Sequence, residues 1–137
     1  MKIAALDMGD QWIGIALSDS LQMIAAPFIT VKNKELGTFL STFLSEQSVV
    51  RVVVGCPITM RGTHSEQTKK VIAHKEVLEK IFPTVQFLLW DERFSSQRAT
   101  ALKPARTHEE KIKTHARAAA FILESYLSSL ALAKEIY

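Results

Sequence analysis

Four side chains of the types that hold cations or move protons stand where they could form a site. They are Asp7 in Leu6-Asp7-Met8-Gly9, Asp91 and Glu92 in Trp90-Asp91-Glu92-Arg93, and His115 in Thr114-His115-Ala116. Carboxylates that converge in one crevice repel each other unless a cation sits between them, and hard divalent ions such as magnesium prefer that oxygen-rich setting. A plainer chemistry competes at each position. Asp before glycine often does no more than start a turn. Asp91-Glu92-Arg93 reads equally well as an internal ion pair with a helix-start acid. A histidine bordering a buried helical stripe is more often a satisfied core residue than a ligand. What decides between these readings is whether the elements carrying the residues bring them together.

Ile3 to Leu6 and Ile13 to Leu17 are apolar runs around a short polar stretch containing Gly9, the pattern of two antiparallel strands joined by a tight turn. Asp7 then ends the first strand, where a charge needs a partner or a metal. Gly9 lets the chain turn with φ > 0, and Gly14 removes a side chain so that another group can come close. Met23 to Val31 reads as a third strand, which Pro27 assigns to an edge. Leu36, Phe39, Leu40, Phe43 and Leu44 recur at helical spacing, predicting an amphipathic helix over 34–47.

Val49 to Val54 is β-branched and nearly continuous, as in a strand buried on both faces, and it stops at Gly55-Cys56-Pro57. Thr63-His64-Ser65-Glu66 has the capping-box spacing and predicts a helix to about Ile81 that buries Val71, Leu78, Ile81 and Phe82 before Pro83. Val85 to Trp90 is the fifth strand. Ser95 or Ser96 can cap a short helix over 97–102, and Thr107-His108-Glu109-Glu110 repeats the capping pattern. The last helix runs to about Ala133, with Ile112, Ala116, Ala119, Leu123, Tyr126, Leu127 and Leu130 on one stripe. The alanines at 118–120 permit close approach to a sheet.

The order β-β-β-α-β-α-β-α predicts an α/β domain spanning 1–137, with a mixed five-stranded sheet: three antiparallel N-terminal strands, then parallel strands, helices on both faces. Sites in such sheets form beyond the carboxyl ends of parallel strands. If the first and fourth strands are neighbours, Asp7, the loop after Gly55 and the acids after Trp90 share one edge. His115, near the start of the last long helix, could reach it. His64, His74 and His108 fall on helix starts or exposed faces and receive no role.

At 137 residues the chain is long enough to bury a core without metal or disulfide staples. Its one cysteine, Cys56, excludes an internal disulfide and a cysteine zinc site, and fits a small core residue in a reducing compartment. No run of about 18 uninterrupted apolar residues suggests a membrane span, and Lys2 leads straight into a strand rather than into a signal-peptide core. The expectation is a cytoplasmic protein. The net charge of +3 is modest, but Arg93, Arg98, Lys103, Arg106, Lys111, Lys113 and Arg117 face only Glu109 and Glu110 over the same stretch. Such a stretch tracks phosphates, or is an ordinary solvated surface.

Several of these segments resemble the YqgF family, also called RuvX: bacterial proteins similar to Holliday-junction resolvases and described as nucleases of pre-16S rRNA. The resemblance covers nearly the whole chain. It rests on Asp7-Met8-Gly9 with Ile13-Gly14-Ile15-Ala16-Leu17-Ser18-Asp19, Val53-Val54-Gly55-Cys56-Pro57 with Gly62, Asp91-Glu92-Arg93-Phe94-Ser95-Ser96 with Ala99, and Ala118-Ala119 before Ile122-Leu123 and Tyr126-Leu127. The resemblance implies an RNase H-like fold and a metal-dependent phosphodiesterase in ribosomal RNA maturation, with Asp7 and Glu92 as metal-binding acids. Two positions depart from the family pattern. Trp12 stands where a basic residue is usual, exchanging a phosphate contact for a stacking surface, and His115 stands where the third acid, usually Asp, is found.

The expected activity is therefore hydrolysis of a phosphodiester in structured RNA or branched DNA, with magnesium or manganese at Asp7, Glu92 and His115. Arg93, Arg98, Arg106 and Trp12 would hold the nucleic acid, and ribosomal assembly intermediates are candidate partners. Two rivals accompany this reading. One is a binding module that lost its full metal shell at His115. The other is a phosphotransferase or ATPase, whose folds also begin with an Asp-x-Gly hairpin but generally need a second large lobe.

Overall fold

The computed structural model describes residues 1–56, 65–91 and 108–136, and the side chains of all but 108–113 and 134–136 among them. Five strands form one sheet in the order β3-β2-β1-β4-β5: β1 (Lys2–Met8), β2 (Trp12–Ser18), β3 (Ala25–Lys32), β4 (Val49–Cys56) and β5 (Gln86–Asp91). β1 pairs antiparallel with β2 and β2 with β3, whereas β1–β4 and β4–β5 are parallel. The first and fourth strands are thus neighbours, and the carboxyl ends of β1, β4 and β5 lie along one edge.

Alternation along the strands sorts the core into two layers. Ala4, Leu6, Ile13, Ile15, Val52, Val54 and Phe87 face α1 (Leu36–Glu46) and α2 (Glu66–Ile81), where Leu36, Leu40, Phe43, Val71 and Leu78 meet them. Ile3, Ala5, Ala16 and Val53 face the other way, onto Ala119, Ile122, Leu123 and Leu127 of α3 (His108–Ile136). Residues 114–133 of α3 are long and apolar enough by composition to cross a membrane, but here the apolar stripe is spent on the sheet. Leu123 is fully buried, a burial worth about 1.5–3 kcal/mol.

The α3 face of the sheet is built from small residues. Ala5 and Ala16 are cross-strand partners, and Ala116, Ala119 and Ala120 are the buried helix residues nearest the site. This lets the helix backbone approach the strands closely, most of all at Gly14. A Cβ there would meet the His115 carbonyl oxygen at 1.9 Å and the Ala116 nitrogen at 2.8 Å. The close approach expected of Gly14 is made by the last helix.

Pro27 sits on β3, an edge strand, as expected, beside a register shift between Ile15 and Ala16 that leaves Phe28 as the extra residue. Pro27 lacks a backbone N–H, and a bulge on an edge is where that costs least. Cys56 is the last residue of β4 and is buried, as the reading of it as a core residue required.

Several local expectations are corrected. The cap of α2 is Ser65, whose Oγ accepts from Thr68 N at 3.2 Å; Thr63 lies outside the described residues. Ile81, the last residue of that helix, points outward, 55% exposed, while Phe82 packs against the core. The first helix opens as a 3-10 turn (Asn33–Glu35) before α1. Gly9 is not in the left-handed region; its reason is space, because a Cβ would meet the Trp12 carbonyl oxygen at 2.4 Å. The short helix expected at 97–102 falls outside the described residues.

Candidate active site at the carboxyl end of the first strand

Asp7 and Gly14 are cross-strand partners, so their α-carbons project to the same face of the sheet. That is the face covered by α3, and the contact at Gly14 sets residue 115 of the helix directly over it. His115 Nδ1 consequently lies 3.9 Å from Asp7 Oδ2. Both groups are only partly covered, with side-chain exposures of 35% for His115 and 22% for Asp7. The carboxylate has left the fully apolar part of β1, whose residues 3–6 are buried, yet it has not reached open solvent. An acid in that position needs a charged or hydrogen-bonding counterpart, and His115 is the counterpart the fold supplies.

The pair can act in two ways. A protonated imidazole would form an ion pair with the carboxylate. A neutral one offers the Nδ1 lone pair beside a carboxylate oxygen; with bonds of about 2.0–2.2 Å, tetrahedral or neighbouring octahedral donors lie about 3.0–3.5 Å apart, so the 3.9 Å spacing has to shorten for both to hold one cation. The donor types fit a divalent metal. Among the described residues, however, no three His, Cys, Asp or Glu side chains gather as a metal cluster, so Asp7 and His115 supply two donors and further ligands must come from elsewhere.

Asp91 does not join them. In β5, Leu88 and Trp90 pack on the α3 side, Phe87 and Leu89 on the other, and the alternation takes Asp91 to the α1–α2 face, away from Asp7. An acid one residue off in a strand belongs to the opposite side of the sheet. Glu92, Arg93, Arg98 and Arg106 lie outside the described residues.

Trp12 is at the site's rim. Two residues before Gly14 on β2, it lies on the same face as Asp7, and its cross-strand partner is Lys32. Lys32 Nζ stands over the indole, 6.0 Å from the ring centroid. The sequence reading missed Lys32 for a physical reason. Counted back from the β2–β3 loop without a bulge, Trp12 would face Val31; the extra residue at Phe28 advances the register by one and brings up the lysine. The β1–β2 turn is further tied down by Asn33, whose Nδ2 donates to Gly9 O at 2.7 Å. An exposed Lys70–Asp10 pair at 3.8 Å spans to α2, a contact worth little by itself.

This topology, with an acid at the end of the central β1 strand, defines an RNase H-like domain. Its structural neighbours agree: Thermus thermophilus RuvC in complex with Holliday junction substrate superposes with a TM-score of 0.61 at 18% identity over 96% of each chain. The Fowlpox virus resolvase in complex with Holliday junction DNA gives 0.51 at 11% identity, covering 95% of this chain and 99% of that one. The sequence narrows the class to a family. Residues 1–129 match the family model described as "RuvX: Holliday junction resolvase", and the chain belongs to that family. A Rubrobacter xylanophilus relative named "Putative pre-16S rRNA nuclease" is 35% identical over 92% of this chain and 91% of its own. A Dictyoglomus turgidum relative of the same name is 33% identical over 99% and 100%.

Proposed function

We propose that this chain is a metal-dependent nuclease that hydrolyses phosphodiester bonds in RNA, acting in 5′-end maturation of pre-16S rRNA in the cytoplasm, with residues 1–137 forming one catalytic domain. The observation that carries the reading is the placement of Asp7 beside His115 at the carboxyl end of β1. The family membership and the names of the relatives support it.

Asp7, Glu92 and His115 would hold magnesium or manganese. Held there, a divalent ion supplies Lewis-acid polarisation of the phosphate and activation of a water. Asp7 contributes negative charge at the end of a rigid strand, so its oxygen is fixed by the β1–β2 ladder rather than by a loop. His115 contributes a nitrogen whose position is set by the Gly14 contact. Arg93, Arg98 and Arg106 hold backbone phosphates, contacts that position a substrate without reading its sequence. Specificity then comes from RNA shape or from a ribosomal assembly intermediate.

Two further readings each have an observation in their favour. Cleavage of branched DNA is favoured by the resolvase description of the family. Binding without turnover is favoured by the imidazole of His115 standing beside Asp7 where the family resemblance expects an acid. One experiment separates all three: incubation with precursor 16S rRNA, and with a four-way DNA junction, in magnesium or manganese, comparing wild type with Asp7→Asn. RNA cut by wild type and spared by Asp7→Asn upholds the proposal. Cutting of the junction alone moves the substrate to DNA, cutting of neither substrate in either metal favours binding without turnover, and equal cutting by both proteins refutes the site.

A further inference from the structure

We infer that Trp12 and Lys32 together form a platform for one unpaired nucleotide of a single-stranded segment, the indole stacking on the base and the ammonium holding the adjoining phosphate. The inference rests on the reading of Asp7 as the centre of a nuclease site, because it places the platform beside that residue.

Four observations carry it. Trp12 and Lys32 are cross-strand partners, so both project to one face of the sheet, and the alternation along β2 makes it the face of Gly14 and Asp7. The indole is only half-buried at the very start of its strand, whereas Ile13 and Ile15 beside it are fully buried. Lys32 is exposed, and among the described residues no carboxylate lies within ion-pair distance of it, unlike Lys69, Lys70 and Lys75, each of which has an acid partner. Its Nζ stands over the ring at 6.0 Å, so a base stacking on that face would displace the flexible ammonium sideways, toward the adjoining phosphate.

A nucleotide has the two matching parts: every base has a π-face, and every phosphate a charge. The stacking partner must be unpaired, since bases inside a duplex are already stacked on their neighbours. Single strands bind by this combination of aromatic platforms and cations. The plain alternative is that the pair only joins β2 to β3, as cross-strand pairs do.

The test is anisotropy of labelled oligouridylate and oligothymidylate, and of a duplex, with the full chain in EDTA, so that binding is read without cleavage. Wild type should bind both single strands through the platform, and any preference between them reports the 2′-hydroxyl and the thymine methyl together. Trp12→Ala should weaken single-strand binding about 5- to 150-fold, the range for loss of one stacked base, and weaken duplex binding less than that, while Trp12→Phe retains most of the affinity. Lys32→Ala should lower the salt slope by about 0.7, the single-strand value for one phosphate, and Lys32→Arg should restore it.

If Trp12→Ala is unfolded by circular dichroism, Trp12→Phe and the Lys32 slope decide. Wild-type affinity and slope in Trp12→Ala and Lys32→Ala would overturn the platform, as would a wild type that binds no single strand. Neither result touches the nuclease reading, which stands or falls on Asp7→Asn cleavage.

Discussion

Gly14 touches the backbone of His115: a Cβ on the glycine would lie 1.9 Å from the His115 carbonyl oxygen. This contact, more than any hydrogen bond, brings the imidazole to Asp7, which pairs with Gly14 across the hairpin. Replacing Gly14 with Ala must therefore push α3 away from the sheet, because neither backbone can rotate aside as a flexible side chain would. Overpacking of a tight core costs about 1–3 kcal/mol, and occasionally more; a clash between main chains belongs at the upper end. Urea unfolding should show Gly14→Ala destabilised by about 3 kcal/mol, and cleavage should fall further than the folded fraction does. A Gly14→Ala protein as stable and active as wild type would mean the helix is not seated by this contact.

Much of this arrangement is legible from residue types. Nearly continuous valines in Val49–Val54 announce an interior parallel strand, although Val50 is exposed and Arg51 only partly buried where burial on both faces is expected; alternation in the first hairpin places Asp7 at a strand end, and the alanines at 118–120 announce a closely packed helix. What escapes is whatever depends on a register of one residue. The bulge at Phe28 decides whether Trp12 meets Val31 or Lys32, and Pro27 beside it signals an edge strand or a bulge without telling the two apart. The cap of α2 at Ser65 escapes as well, since Thr63 and Ser65 are both of types that cap helices. Asp91 and Glu92 are adjacent acids to a reader of sequence, but the pleat gives Asp91 to the far side of the sheet from Asp7.

The basic stretch yields a binding prediction. Arg93, Arg98 and Arg106 replaced together by Ala should weaken RNA affinity by a similar factor for all sequences, because phosphate contacts carry no base information. The slope of log affinity against log salt should flatten by up to about 0.7–0.9 per lost contact. An unchanged slope would reduce this stretch to solvated surface.

Stability should depend on pH through His74 and Asp19. Burial holds His74 below its ordinary value of 6.5, so the folded chain favours neutral imidazole and the unfolded chain binds more protons. The contribution is complete above 6.5 and is lost as pH falls through the lower folded value. Urea midpoints should drop between pH 8 and pH 5, less so in His74→Leu. Asp19 Oδ1 accepts the amides of Ile24 and Met23 at 2.9 and 2.8 Å, which holds its carboxyl below 3.8. That contribution is present above 3.8 and disappears as pH falls through the lower folded value. Amide shifts of Met23 and Ile24 should follow this acid step and lose it in Asp19→Asn.

The last prediction concerns the choice of histidine at position 115. Imidazole suits later transition metals, whereas carboxylate suits magnesium and manganese, so a site holding metal through Asp7 and His115 should work better with manganese or cobalt than with magnesium. His115→Asp would set a second carboxylate opposite Asp7, where the imidazole nitrogen now stands 3.9 Å away. The like charges repel in the absence of a cation, so the variant should bind magnesium more tightly by calorimetry and lose stability when metal is chelated. Its magnesium-supported cleavage should rise above that of wild type, and its preference for manganese should narrow. His115→Ala should lose metal affinity in every case, since one of the proposed ligands is then gone. If His115→Asp and His115→Ala bind and cut like wild type with each metal, the imidazole is only the carboxylate's ion-pair partner, and the metal shell must be built from Asp7 and Glu92. If wild type is inert with every metal while His115→Asp cuts, the native chain binds nucleic acid without hydrolysing it, and a single imidazole in place of an acid is the reason.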